Sequence, residues 1–350
     1  MKKFIALSFL VISLFFLSGC SLTGNSSPSS ASILKSTDGG KIWEPKVKIS
    51  EEKNISSVEI LSIAIDPANS QIVYIGTREN GIYLSQNGGE NWEKINFPPG
   101  KVYGLAIDRS NTQVLYALGV WQKRGKIYKS EDAGGNWKEI YTEPADGTVI
   151  ISLSINPANF QVLYASTSEG AIFKTENGGE TWLNLFKVQG AVTQSVFDSA
   201  DGNIVYFSVL EQGILRTKNG GESFENLEKN LQSSAEIGSN RVFSLASDPQ
   251  RSGTLYAGLD EGIAKSTDFG ETWTPLNVLE SSKNFPVRAM TINPQNSQEL
   301  IYSAAQAVYK SIDGGVQWFT IQLETAKISS VIQYDPLNPG IIYLGLKKDN

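Results

Sequence analysis

Few side chains in this 350-residue sequence are of a type that performs bond chemistry, and none of them is histidine. Without imidazole, Ser-His-Asp and Cys-His nucleophile systems, imidazole metal centres and His-ligated haem are excluded. The one cysteine is Cys20, which leaves no intrachain disulfide and no thiolate metal cluster. Carboxylates remain. Glycoside hydrolysis needs two of them facing each other across a sugar, about 5–9 Å apart, one with a raised pKa. Recognition is open as well, through Trp121 beside Lys123 and Arg124, and through Arg241 and Arg288 with Tyr103 and Phe243. With 30 basic against 36 acidic residues the formal net charge is −6, which argues against nucleic acid as a partner.

The N-terminus places Cys20. Lys2 and Lys3 precede an apolar run from Phe4 to Leu17, shorter than the roughly 20 residues a membrane-spanning helix needs, so it reads as a secretory signal. The run ends in Leu17-Ser18-Gly19-Cys20, which resembles the bacterial lipobox. That resemblance implies cleavage after residue 19 and acylation of Cys20, hence lipid anchoring outside the cytoplasm in a bacterial envelope. Residues 21–32 carry six serines with Gly24, Asn25 and Pro28, the composition of a flexible tether with a reach of roughly 20 Å. Residues 33–350 are left for the folded domain.

One pattern, Ser/Thr-x-Asp/Asn-x-Gly-x-x-Trp/Phe, occurs seven times. Its polar positions are Asp38, Asn87, Asp132, Asn177, Asn219, Asp268 and Asp313, and its aromatic positions Trp43, Trp92, Trp137, Trp182, Phe224, Trp273 and Trp318. The aromatic residues lie 49, 45, 45, 42, 49 and 45 residues apart. Around each copy run four short β-rich segments, one with a central tyrosine (Tyr74, Tyr116, Tyr164, Tyr206, Tyr256, Tyr302, Tyr343). Four strands at this period predict an all-β, seven-bladed β-propeller. The first motif has only Ile33-Leu34-Lys35 before it, and residues 328–347 hold two strands with no motif after them. The seventh blade is therefore expected to be shared, outer strands from the N-terminus and inner strands from the C-terminus.

The motif resembles the Asp-box, or BNR repeat, of sialidases, sortilin-type receptors, xyloglucan hydrolases and photosystem II assembly-factor propellers. In that family the boxes lie on hairpins opposite the usual binding face. Physically the Asp or Asn closes a tight turn, the glycine takes positive φ, and the aromatic residue returns into the sheet. Calcium ligation by the box acids is not expected, because Asn stands in three copies and EF-hand spacing is absent; no metal or cofactor is expected. The Asp/Asn-Pro pairs at Asp66, Asn156, Asp248, Asn293 and Asp335 end inner strands.

Sites are sought where the repeat is broken on the other, upper face. The 117–126 segment reads as a lengthened loop bearing Trp121, Lys123 and Arg124. Five residues before each strand-ending Asp/Asn stand Leu61, Tyr103, Ile151, Thr193, Phe243, Arg288 and Ser330, a ring at the channel mouth. Arg288 and neighbouring Arg241 break it and suit a carboxylate or sulfate, with Glu236 or Glu280 as local alternatives for pairing. Segments 228–240 and 277–286 read as long loops flanking this region. The acids available to an enzyme, Glu169, Glu211, Asp260 and Glu261, occupy equivalent loops of consecutive blades, as solvated turn residues would. The sialidase Phe/Tyr-Arg-Ile-Pro motif is absent. Expected, then, is a monomeric, non-enzymatic scaffold for a protein or glycan partner, with a BNR-type glycoside hydrolase as the alternative.

Overall fold

The computed structural model describes residues 30–233, 237, 239–279 and 285–349; the segment read as a signal, Cys20, Glu236 and Glu280 lie outside them. Seven antiparallel four-stranded sheets form a ring. Blades 1 to 6 begin at the inner strands Ile60–Ile65, Lys101–Ile107, Ile150–Ile155, Val192–Phe197, Ser244–Ser247 and Ala289–Ile292. Blade 7 is the shared one. Its order from the rim inward is Glu44–Pro45, Ile33–Ser36, Ile342–Lys347 and Ile328–Tyr334. The seam pairs Ile33 with Gly345 and Ser36 with Ile342, so no strand edge is left open there.

Each box is a small hydrogen-bonded knot. Ser36 Oγ donates to Asp38 Oδ1 and accepts from Gly40 N, both at 2.8 Å, while Asp38 Oδ1 accepts the N–H groups of Lys41 and Ile42 at 3.0 Å. Only one acceptor oxygen is used for the turn, so Asn substitutes without loss: Asn87 Oδ1 takes the same bond from Asn91 N at 2.9 Å. The glycine sits at φ +90 in the first box and +94 in the fourth, a region that other residues enter at a cost. Burial of the aromatic position is uneven. Trp92, Trp273 and Trp318 are buried, whereas Trp43, Trp137, Trp182 and Phe224 are half-buried.

Three of the recurrent tyrosines fasten one blade to the next. All seven are buried. Tyr343 in blade 7 donates to Gly88 O in the box of blade 1 at 2.8 Å, Tyr74 to Ala133 O in blade 2 at 2.9 Å, and Tyr116 to Gly178 O in blade 3 at 3.3 Å. In several blades the residue before the box Ser/Thr adds a second clasp: Lys35 reaches Gly88 O at 2.7 Å, Lys174 reaches Gly220 O at 2.9 Å, and Lys310 reaches Gly39 O at 2.7 Å. Arg216 does the same toward Phe269 O and is paired with Glu225 and Glu271. Burial pushes the Tyr74 and Tyr116 hydroxyls up to about 12. The strand-ending acids work between blades as well, Asp335 accepting from Ser70 at 2.8 Å and Asp248 from Ser297 at 2.6 Å.

Candidate ligand-binding face

The inner strands run from the upper face down to the box face, so the residue that opens each strand faces the channel mouth. All seven ring positions read from the sequence line one cavity there, of about 490 Å³. Tyr103, Phe243 and Arg288 are among them, joined by Arg78, Lys101 and Lys347. Among the described residues, four basic side chains and no acidic one line this mouth, in a chain of net charge −6.

Those cations come from consecutive blades: Arg288 opens blade 6, Lys347 ends the second strand of blade 7, Arg78 follows the second strand of blade 1, and Lys101 opens blade 2. Arg78 is paired with Glu59 at 2.5 Å. Among the described residues no carboxylate lies within ion-pair distance of Lys101, Arg288 or Lys347. Aromatic rings stand in part-way: Lys101 Nζ is 5.7 Å from the Tyr103 centroid, and the Arg288 guanidinium 5.2 Å from that of Phe243. Burial pulls the Lys347 ammonium below its ordinary pKa, and Arg288 and Arg78 pull it further, against a weaker opposing effect of Glu59 and Asp349.

The opposite wall is polar and neutral. Thr193, Gln194, Ser195 and Ser152 line it. Ser152 and Ser195 hydroxyls lie 2.7 Å apart, and Ser195 donates on to Ser154 at 2.9 Å. Ser154 and Val196 also line a second cavity of about 310 Å³ at the box-face end, so a chain of hydroxyls follows the channel wall between the two mouths.

The remaining recognition candidates are divided. Arg241 lies 5.2 Å from the Phe243 centroid but points to Asp260, Nη1 to Oδ1 3.5 Å, and does not line the mouth. Trp121, Lys123 and Arg124 stand apart from the mouth. The 117–126 segment is not a long loop: strands Leu115–Trp121 and Arg124–Ser130 pair as far as Trp121 opposite Arg124. Only Gln122 and Lys123 turn, both at positive φ. The hairpin tip leaves Trp121 43% exposed, with Arg124 held by Asp146 at 2.7 Å. Part of the 228–240 segment is the short helix Glu228–Gln232, docked through buried Leu231.

None of Glu169, Glu211, Asp260 and Glu261 lines the channel mouth. Glu169, Glu211 and Glu261 are exposed, and Asp260 is engaged by Ser239 at 2.9 Å and by Arg241. Asp260 and Glu261 do border a cavity of about 730 Å³ with Leu259, Ile263, Leu276 and Val278. As neighbours in one turn they occupy one wall and do not oppose each other across it.

Lys101 and Lys347 were not singled out by the sequence, and Arg78 was placed on the upper loops without a role. A signal existed: the residue four after the blade tyrosine is Arg78 and Lys347 in adjoining blades, against Val120, Ser168, Leu210, Asp260 and Gln306 elsewhere.

Comparison with known proteins gives matches to two family models over different parts of the chain. Residues 125–244 match the model described as sortilin, neurotensin receptor 3. Residues 23–158 match that of the photosynthesis system II assembly factor YCF48. No curated protein matches the chain in sequence. Among solved structures, the GH74 xyloglucanase of Xanthomonas campestris superposes with a TM-score of 0.69 at 15% identity, over 82% of this chain and 51% of that one. The chain thus spans about half the length of that enzyme. YCF48 from Cyanidioschyzon merolae superposes at 0.63 and 14% identity, over 82% of this chain and 95% of that one. YCF48 bound to a D1 peptide superposes at 0.63 and 16%, over 83% and 94%. At such identities the structural likeness is one of fold. The chain is a seven-bladed Asp-box propeller, similar over part of its length to sortilin and over another part to the photosystem II assembly factors.

Proposed function

We propose that the protein is a non-enzymatic scaffold, anchored to the outer side of a bacterial membrane through acylated Cys20, that captures a protein partner on its upper face. The observation that carries this reading is the channel mouth: among the described residues it offers several cations and aromatic rings and no carboxylate. Cleavage of a glycosidic bond has no acid–base pair to use there, whereas binding needs only fixed, unpaired recognition groups on a rigid frame. A similar single propeller has been solved with a peptide bound, which supports a protein as the class of partner. The exposed Trp121 hairpin extends the same face outward and adds an aromatic anchor of the kind that dominates binding energies.

The test is affinity capture from native membranes with Trp121→Ala and Arg288→Ala, alongside assays for turnover of xyloglucan and of a sialoside. Capture should weaken in both variants while thermal unfolding stays within about 0.5 kcal/mol of the parent, as for other exposed positions. Turnover that disappears on joint removal of Glu211 and Asp260 would overturn the reading. Capture that survives both alanine changes and fails only when box-face residues are altered would move the site to the other face.

A further inference from the structure

We propose that the upper mouth of the channel is an oxyanion site, in which Lys347, Arg288 and Lys101 converge on a carboxylate or phosphate group of the ligand. The proposal deepens, and rests on, the reading of the upper face as the binding face. Three observations carry it. First, the charge is local and one-sided: among the described residues the lining holds four basic side chains and no acidic one, in a protein with an excess of acids. Second, the cations belong to four consecutive blades and lie far apart in sequence. Tertiary folding gathers them against their mutual repulsion. Arg216, by contrast, is placed between two glutamates, and Lys310 between Glu299 and Gly39 O. Third, Lys347 is partly withdrawn from water without a hydrogen-bond or ion-pair partner among the described residues, an arrangement that is unfavourable until an anion completes it.

The site has a second half. Gln194 fixes its Oε1 on the Leu245 N–H at 2.6 Å, which leaves its amide NH2 available to donate. Beside it, the Thr193 and Ser208 hydroxyls share one hydrogen bond of 2.6 Å, and both retain lone pairs. A ligand whose oxyanion meets the cationic wall would set its other polar groups against this one. The planar fork of Arg288 matches two oxygens of either group bidentately, and the two lysines add point charges.

Such binding has a signature that mere structural disturbance would not give. An oxyanion beside Lys347 reverses the effect of the surrounding Arg288 and Arg78 and adds to that of Glu59 and Asp349. The lysine pKa then rises, and protons are taken up on binding under alkaline conditions.

The experiment is titration calorimetry on the full mature protein in detergent, at low ionic strength and mildly alkaline pH, in two buffers of different ionisation enthalpy. Inorganic phosphate and succinate are the two probes. Saturable binding of at least one is expected, with proton uptake, and the stronger probe identifies the oxyanion. Arg288→Gln and Lys347→Met should each weaken it at least tenfold, with Lys347→Met also abolishing the uptake; Lys218→Met on the box face should change neither. Unaltered melting curves show that each variant is folded. Binding indifferent to both mouth substitutions, or no saturable binding of either anion, overturns the oxyanion site. If partner capture still depends on Trp121 and Arg288 in that event, the upper-face reading survives alone.

Discussion

The guanidinium of Arg288 lies 5.2 Å from the centre of the Phe243 ring, and Arg241 approaches the same ring at the same distance from the neighbouring loop. One aromatic side chain thus positions two cations with different fates. Arg241 is neutralised by Asp260, while Arg288 lines the channel mouth and meets no carboxylate among the described residues. Such a contact contributes about 0.5–1 kcal/mol at an exposed site, enough to bias where the guanidinium stands.

Phe243 should therefore act through Arg288. We expect Phe243→Leu to weaken partner capture severalfold, and Arg288→Ala added to it to cost much less than Arg288→Ala alone. A double-mutant cycle read by surface plasmon resonance measures that coupling. Strict additivity would show that Phe243 does not position the arginine.

Trp92 and Trp182 should differ, although they occupy the same place in their repeats. Trp92 is 2% exposed, packs with Ile33 and Tyr343 across the seam, and donates its indole N–H to Lys46 O at 2.7 Å. Trp182 is only half-buried. Urea unfolding of Trp92→Ala should show a loss of about 3–5 kcal/mol. Trp182→Ala should lose clearly less, and equal losses would contradict the packing described.

Acid should loosen only the boxes that carry aspartate. Hydrogen bonds from the turn backbone hold the carboxyls of Asp38, Asp132 and Asp313 below their ordinary value, and those from Thr272 and Ser266 do so for Asp268 despite a raising effect of burial. A group whose folded pKa is depressed stabilises the fold above its unfolded value of about 3.9, and that contribution fades as pH falls through the folded value. Joint replacement of these four by Asn should leave neutral stability nearly unchanged, since Asn87, Asn177 and Asn219 already form the turn. It should flatten the fall in the urea midpoint below about pH 4. An acid limb identical to the parent's would show that the box carboxylates do not carry it.

Anchoring is checked at Cys20. The Cys20→Ser protein should fold with an unchanged melting temperature but appear in the soluble extracytoplasmic fraction. Retention in membranes after carbonate washing would refute acylation at this residue.

Much of this architecture was legible because a repeat repeats its errors as faithfully as its rules. Seven boxes, seven tyrosines and a split at the ends led to seven blades and a shared one, and the ring of residues five before each Asp/Asn does meet at one mouth. What escaped depended on geometry that local sequence does not encode. The Trp121 hairpin was read as a loop because its turn, Gln122-Lys123, lacks the Asn or Gly that usually marks positive φ. The partner of Arg241 proved to be Asp260, brought near by the packing of a loop on a hairpin. Lys347 was hidden by the seam, where the second strand of a blade is the end of the chain and has no box after it for alignment.

That seam bears on how the ring is made. Ser32 O accepts the Leu346 N–H at 2.8 Å, so the chain enters and leaves the disc side by side. The strand Ile33–Ser36 is the first part of the ring to be synthesised, yet its inner neighbour Ile342–Lys347 is the last. Until that strand has emerged, blades can form one by one along the chain but the circle stays open, and the clasp from Tyr343 to Gly88 cannot be made. A chain that stops short of Ile342 therefore lacks the strand that pairs with Ile33–Ser36, and its ring stays open.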